Sequence, residues 1–111
     1  MWRLRSLDAE GQAAMAFRLM PGQVKTVGRA PRADFLVDAP LVSRLHCRLE
    51  AAADGTVHVK DLGSTNGTWI DGEQVSDGVL RDGHRLRVGR VEFVLERQKT
   101  EDRRQETGDR R

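Results

Sequence analysis

Three separated blocks of this 111-residue chain combine hydroxyl residues, basic residues and turn formers: Gly28-Arg29, then Ser43-Arg44-Leu45-His46, then Asp61-Leu62-Gly63-Ser64-Thr65-Asn66-Gly67-Thr68. An arginine supplies a fixed cation with a planar fork of donors, which can hold two acceptors at once where a lysine point charge does so poorly. Hydroxyls, an amide and backbone N–H groups exposed by glycine-rich turns supply further donors, as in an anion nest. That set suits a tetrahedral dianion held on a rigid framework. Other chemistries ask for more than the blocks contain. Ser43, His46 and Asp61 are the residue types of a hydrolase, but the G-x-S-x-G elbow is missing. Gly63 to Thr68 is glycine- and hydroxyl-rich yet lacks the G-x-x-x-x-G-K-[ST] spacing of a nucleotide-binding loop and its lysine. His46, Cys47, His58 and His84 show no paired metal-ligand spacing. The expectation is a binding protein rather than an enzyme, with no metal and no cofactor.

The blocks sit between short stretches of period-two alternation, the pattern of strands with one dry and one wet face. Leu45, Cys47 and Leu49 alternate with His46, Arg48 and Glu50, and Val57 and Val59 with His58 and Lys60. Further strands are expected over Trp2 to Leu7, Met15 to Leu19, Val24 to Val27, Phe35 to Val37, Thr68 to Ile70, Arg85 to Val88 and Val91 to Leu95. Asp54-Gly55, Asp71-Gly72, Asp77-Gly78 and Asp82-Gly83 mark four reversals, because each places a glycine where left-handed backbone carries no steric penalty. Gly11 makes a loop, rather than a helix, the reading of the alanine-rich stretch between the first two strands. Many short strands with turn signals between them specify an all-β fold, an antiparallel sandwich of two twisted sheets.

Length allows one domain with one core. Of 19 Lys+Arg and 17 Asp+Glu, 13 of each lie in residues 1–96, so the net charge of +2 belongs to residues 97–111. A neutral body with scattered arginines and few aromatics argues against nucleic acid as a partner. Residues 97–111 contain no apolar side chain and are expected to form a disordered, charged tail after a domain spanning 1–96. Thr100 and Thr107 lie in it beside acidic residues, as candidate phosphorylation sites. A single cysteine, Cys47, excludes an internal disulfide. The absence of a long apolar run gives a cytoplasmic chain with no membrane partner as the default.

The order and spacing of the three blocks resemble the forkhead-associated (FHA) domain, in its small standalone bacterial form, over residues from about Trp2 to Glu96. The resemblance implies a sandwich with its binding loops at one end, and a phosphothreonine-peptide-binding adaptor in Ser/Thr kinase signalling. Its partner would be a phosphorylated protein, either a Ser/Thr kinase or its substrate, bound by a monomer. It further implies that Arg29 reaches the phosphate, that the Ser43 hydroxyl and Arg44 contact it, and that Thr65 donates its hydroxyl with Ser64 in support. Asn66 would hold the peptide backbone, while Gly28, His46 and Gly67 support the site, the histidine by bracing its loop. Leu41, apolar where some relatives carry a basic group, speaks against a strict preference for an acidic residue three positions after the phosphothreonine. The alternative is a degenerate FHA scaffold that binds partners without phosphate.

Overall fold

Alternation becomes a sandwich because each strand buries every second side chain against a facing sheet. The computed structural model describes residues 1–7 and 15–98, which form eleven strands and no helix. In chain order they are β1 (Trp2–Leu7), β2 (Ala16–Leu19), β3 (Val24–Gly28), β4 (Phe35–Leu36), β5 (Cys47–Ala51), β6 (Val57–Asp61), β7 (Thr68–Ile70), β8 (Glu73–Val75), β9 (Asp77–Leu80), β10 (Arg85–Val88) and β11 (Val91–Arg97). A six-stranded sheet runs β2-β1-β11-β10-β7-β8 and a five-stranded sheet β4-β3-β5-β6-β9. All recorded pairings are antiparallel except the two-residue β3–β4 pair, which is parallel.

Leu4, Leu19, Leu86, Phe93 and Leu95 from one sheet and Val27, Leu49, Val57, Val59 and Leu80 from the other close the core, each under 2% exposed. Phe17 stacks on Phe35 across the gap with ring centroids 4.6 Å apart. Cys47 is part of this interior. Its burial, reinforced by the Asp61 charge, pushes the thiol up to about 12, so it stays protonated and unreactive.

Several expectations change in detail. Leu45 is 37% exposed and precedes the strand, which begins at Cys47. The edge strands β8 and β9 had no alternation to announce them, and Asp77-Gly78 opens β9 instead of forming a reversal. Gly78 is there for space: a Cβ would sit 2.7 Å from Ile70 Cδ1 of the facing sheet. The other three Asp-Gly pairs do turn, each with its glycine at positive φ. Strand β11 continues through Arg97, which pairs with Trp2, so residue 97 belongs to the sheet and not to a tail. The Gly11 loop and the two tail threonines lie outside the described residues.

Gly78→Val forces a branched side chain into Ile70 and Val75. The expected loss is about 1–3 kcal/mol, read as a lower urea midpoint with unchanged slope. A midpoint equal to wild type contradicts the packing assigned to Gly78.

Candidate functional site

The end of β3 is drawn against the 43–44 segment by backbone pairing that outlasts the strand. The Arg29 amide donates to the Ser43 carbonyl at 2.9 Å and the Ala30 amide to the Arg44 carbonyl at 3.1 Å. Gly28 permits the approach, since a Cβ on it would collide with the Arg44 carbonyl. The Arg29 side chain then turns along the same segment, its Nε donating to the Val42 carbonyl at 3.0 Å. Among the described residues its two terminal nitrogens have no hydrogen-bond partner and no carboxylate, so the charge is oriented but uncompensated.

The next loop is held by a buried imidazole. His46 is fully buried, with the Ser43 amide donating to its Nδ1 at 3.0 Å and its Nε2 lying 2.8 Å from the Gly67 carbonyl oxygen. Since Nδ1 accepts, the proton belongs on Nε2, and the ring is a neutral strut between two loops. Both ring nitrogens are occupied by backbone, so neither can take a proton from the Ser43 hydroxyl. Asp61 makes its bonds elsewhere, and the three residues form no relay. Leu41, at φ 71°, has the left-handed backbone that aims its carbonyl at the Asn66 side-chain amide, which donates to it at 3.1 Å. A Cβ on Gly89 would lie 2.8 Å from that carbonyl oxygen, so Gly89 leaves the room the turn needs.

The third block is built on Asp61, the last residue of β6. Its Oδ2 accepts the amides of Gly63 and Ser64, each at 3.0 Å, and its Oδ1 accepts the hydroxyls of Ser64 at 2.6 Å and Thr68 at 2.7 Å. This closes the turn as an Asx motif and ties it to the first residue of β7. Partial burial alone would raise the Asp61 carboxyl, but the hydrogen bonds from Ser64, Thr68 and Gly63 outweigh it and hold the carboxyl below the usual aspartate range. Ser64, expected beside the phosphate, instead gives its hydroxyl hydrogen to Asp61 and accepts the Gly67 amide at 3.0 Å. Thr65 is left exposed at the tip, its amide donating to the Ser43 hydroxyl oxygen at 3.0 Å and its own hydroxyl unpartnered among the described residues. Trp69 anchors the far side, its Nε1 donating to the Asn66 carbonyl at 3.4 Å.

Arg29, Ser43, Thr65 and Asn66 thus line one open hollow of about 560 Å³ at the loop end of the sandwich, joined there by Asp38, Leu41 and Val42. Arg44 is exposed next to Ser43, outside that lining. His46, Ser64 and Gly67 stand behind the hollow as its bracing. A second hollow, of about 370 Å³ on the outer face of the five-stranded sheet, is lined by Arg48, Glu50, His58, Lys60 and their neighbours and shares no residue with the three blocks. The sequence reading missed the organising role of Asp61, although an aspartate two residues ahead of a Gly-Ser pair is an Asx-turn signal. No local signal announces the left-handed Leu41.

Because the folded carboxyl of Asp61 is depressed, it contributes stability that is full above the ordinary aspartate value of about 3.9 and is lost as pH falls through the folded value. Asp61→Asn keeps an acceptor but loses the charge and one oxygen, at an expected cost of about 1.5–3 kcal/mol at neutral pH. Urea unfolding from roughly pH 6 to pH 2 should show wild type and variant converging in acid. A gap that stays constant over that range contradicts the role given to the ionised carboxylate.

The family model described as the FHA domain matches residues 25–89, more than half of the chain and all three blocks. An oxoglutarate dehydrogenase inhibitor of Corynebacterium diphtheriae is 34% identical over 85 residues, covering 77% of this chain and 59% of that protein. The chain therefore spans about three fifths of the length of that relative. Among solved structures, the FHA domain of the CT664 protein from Chlamydia trachomatis superposes with a TM-score of 0.82 at 26% identity, covering 88% of this chain and 98% of that one. An FHA domain studied for its phosphothreonine-dependent interactions superposes with a TM-score of 0.76 at 28% identity, covering 88% of this chain and 97% of its own. By the match of the family model over residues 25–89, supported by the superposition on solved FHA domains, the chain belongs to the FHA-domain family.

Proposed function

We propose that the protein is a non-enzymatic reader of phosphothreonine on a partner protein, an adaptor in Ser/Thr kinase signalling. The observation that carries the reading is the gathering of uncommitted donors at one hollow: the two terminal nitrogens of Arg29 and the hydroxyls of Ser43 and Thr65. A phosphothreonine brings ~1.5 to 2 negative charges and three strong acceptor oxygens, and each open group matches one of those needs. In this reading Arg29 pairs with the phosphate, Ser43 and Thr65 donate their hydroxyls to it, and Arg44 adds a second positive charge from the rim. The amide of Asn66 is engaged with Leu41, which leaves its Oδ1 to accept an N–H from the peptide backbone. Gly28, His46, Ser64 and Gly67 serve by building the loops.

The phosphothreonine-dependent interactions of the similar FHA domain support the same reading. The partner class follows from the ligand: a protein phosphorylated on threonine, whether a kinase or its substrate, met by a monomer in the cytoplasm. A scaffold indifferent to phosphate has no use for an uncompensated arginine between two open hydroxyls. A hydrolase would need a base at Ser43, and the only adjacent imidazole is occupied at both nitrogens.

Loss of one charge-assisted interaction of about 1.5–3 kcal/mol corresponds to roughly tenfold or more in affinity. Titration of a phosphothreonine peptide library by fluorescence anisotropy should therefore show Arg29→Ala at least tenfold weaker than wild type, with an unchanged circular dichroism spectrum. Equal affinities remove Arg29 from the site. In the same assay phosphothreonine peptides should bind more tightly than their phosphoserine counterparts, since the threonine methyl has Leu41 and Val42 in the lining to pack against. Indistinguishable affinities contradict the placement of the phosphorylated side chain in this hollow.

A further inference from the structure

Counted along the chain, the charges of the folded part balance, but the sheet register separates them. Residues paired directly across strands project from the same face. On the outer face of the six-stranded sheet Arg18 pairs with Arg3 and Arg3 with Glu96; Arg5 pairs with Val94 and Val94 with Arg85; Glu92 pairs with Arg87 and Arg87 with Trp69. Five arginines and two glutamates therefore share one surface, whose opposite side is the apolar core. Glu96 is already bonded to Arg5 at 2.8 Å and Arg3 at 3.1 Å, and Glu92 lies 3.6 Å from Arg85. Among the described residues Arg18 and Arg87 have no carboxylate partner, and three positive charges on this face are uncompensated. The side chains are open to solvent: 44% of Arg3, 39% of Arg5 and 56% of Arg85 is exposed.

We propose that this face is a second interaction surface, separate from the loop hollow, that docks an acidic stretch of a partner protein. Three features favour carboxylates on a protein over a nucleic acid. All five cations are arginines, whose fork engages a carboxylate through two parallel hydrogen bonds. Glu92 and Glu96 are interspersed among them, which repels a continuous phosphate backbone and leaves spaced positions for separate acidic side chains. The one aromatic on the face, Trp69, is covered by the Arg87 guanidinium 4.5 Å from its ring centroid, so no bare platform is left for stacking bases. Arg18 on β2 and Arg87 on β10 are three strand spacings apart across the sheet, about 14 Å, and offset by four residues along it, about 13 Å, a separation of roughly 19 Å. An extended segment with acidic residues at alternate positions repeats every ~7 Å and can present three carboxylates over that width. Exposed ion pairs are individually weak and screened by salt, so the surface serves as an auxiliary contact, and its binding should fade as ionic strength rises.

The test uses the whole chain, labelled with nitrogen-15, and an unphosphorylated twelve-residue peptide of alternating Glu and Ser. Titration at low salt should shift amides of β1, β2, β10 and β11, with the loops at 41–43 and 64–66 unmoved. Arg18→Glu combined with Arg85→Glu should weaken binding at least fivefold. Arg48→Glu combined with Arg81→Glu makes the same change in net charge away from this face and should weaken it less than twofold. Retained binding of a phosphothreonine peptide by both variants checks their fold independently. A twelve-base-pair DNA duplex and phosphatidylserine vesicles run as competitors. The proposal is overturned if the acidic peptide shifts no residue of this face at millimolar concentration, if both double variants behave alike, or if DNA or vesicles bind more tightly than the peptide.

Discussion

One buried imidazole joins the parts of this site that are far apart in sequence. His46 holds the amide of Ser43 with one nitrogen and the carbonyl of Gly67 with the other, inside a protein interior where no water competes for either bond. Its geometry sets the spacing between the loop that carries Ser43 and the loop that carries Thr65. Once that spacing is set, the Ser43 hydroxyl can accept the Thr65 amide and the Asn66 side chain can reach Leu41. A ring that donates and accepts through opposite edges is well suited to this position; an aliphatic side chain of equal volume would leave both backbone groups without partners.

The sandwich supplies what the loops cannot supply themselves. Core packing on the dry face of β5 fixes Cys47 and Leu49, and the strand so fixed positions His46, the residue just before it. Packing of β6 fixes Asp61 at its end, where the carboxylate collects two amides and two hydroxyls and shapes the third loop. Some of these side chains are wholly engaged with backbone or with one another, and others only in part. His46, Asp61 and Ser64 use their polar groups inward to hold backbone, while Arg29, Ser43 and Thr65 keep groups directed at the hollow. In the proposed reading the groups that meet the phosphate are held in place before binding, so little ordering is left to offset.

Much of this was readable from the sequence, for identifiable reasons. Alternation announced the strands that have one wet and one dry face, such as β5 and β6, and the resemblance to the FHA domain implied that the three polar blocks converge. Edge strands were hidden because Glu73-Gln74-Val75 has no buried face to impose a period, and Gly78 imitated a turn while serving a steric purpose. Ser64 could not be told from Thr65 by residue type, because only the turn around Asp61 decides which hydroxyl points inward. The basic face was invisible to a charge count, since strand pairing alone makes neighbours of Arg3 and Arg18 and brings Arg87 onto the same face. Sequence composition reports how much charge a fold carries; register decides where it lies.

The central claim is that one phosphate group meets the guanidinium of residue 29 and two hydroxyls from separate loops together. A crystal structure of the protein with a phosphothreonine peptide tests it most directly. The account predicts phosphate oxygens within about 3.2 Å of a terminal nitrogen of Arg29 and of both Ser43 Oγ and Thr65 Oγ1, with the His46 bonds to Ser43 and Gly67 intact. A phosphate seated away from these three groups, or a peptide bound only after the His46 strut has opened, would contradict it.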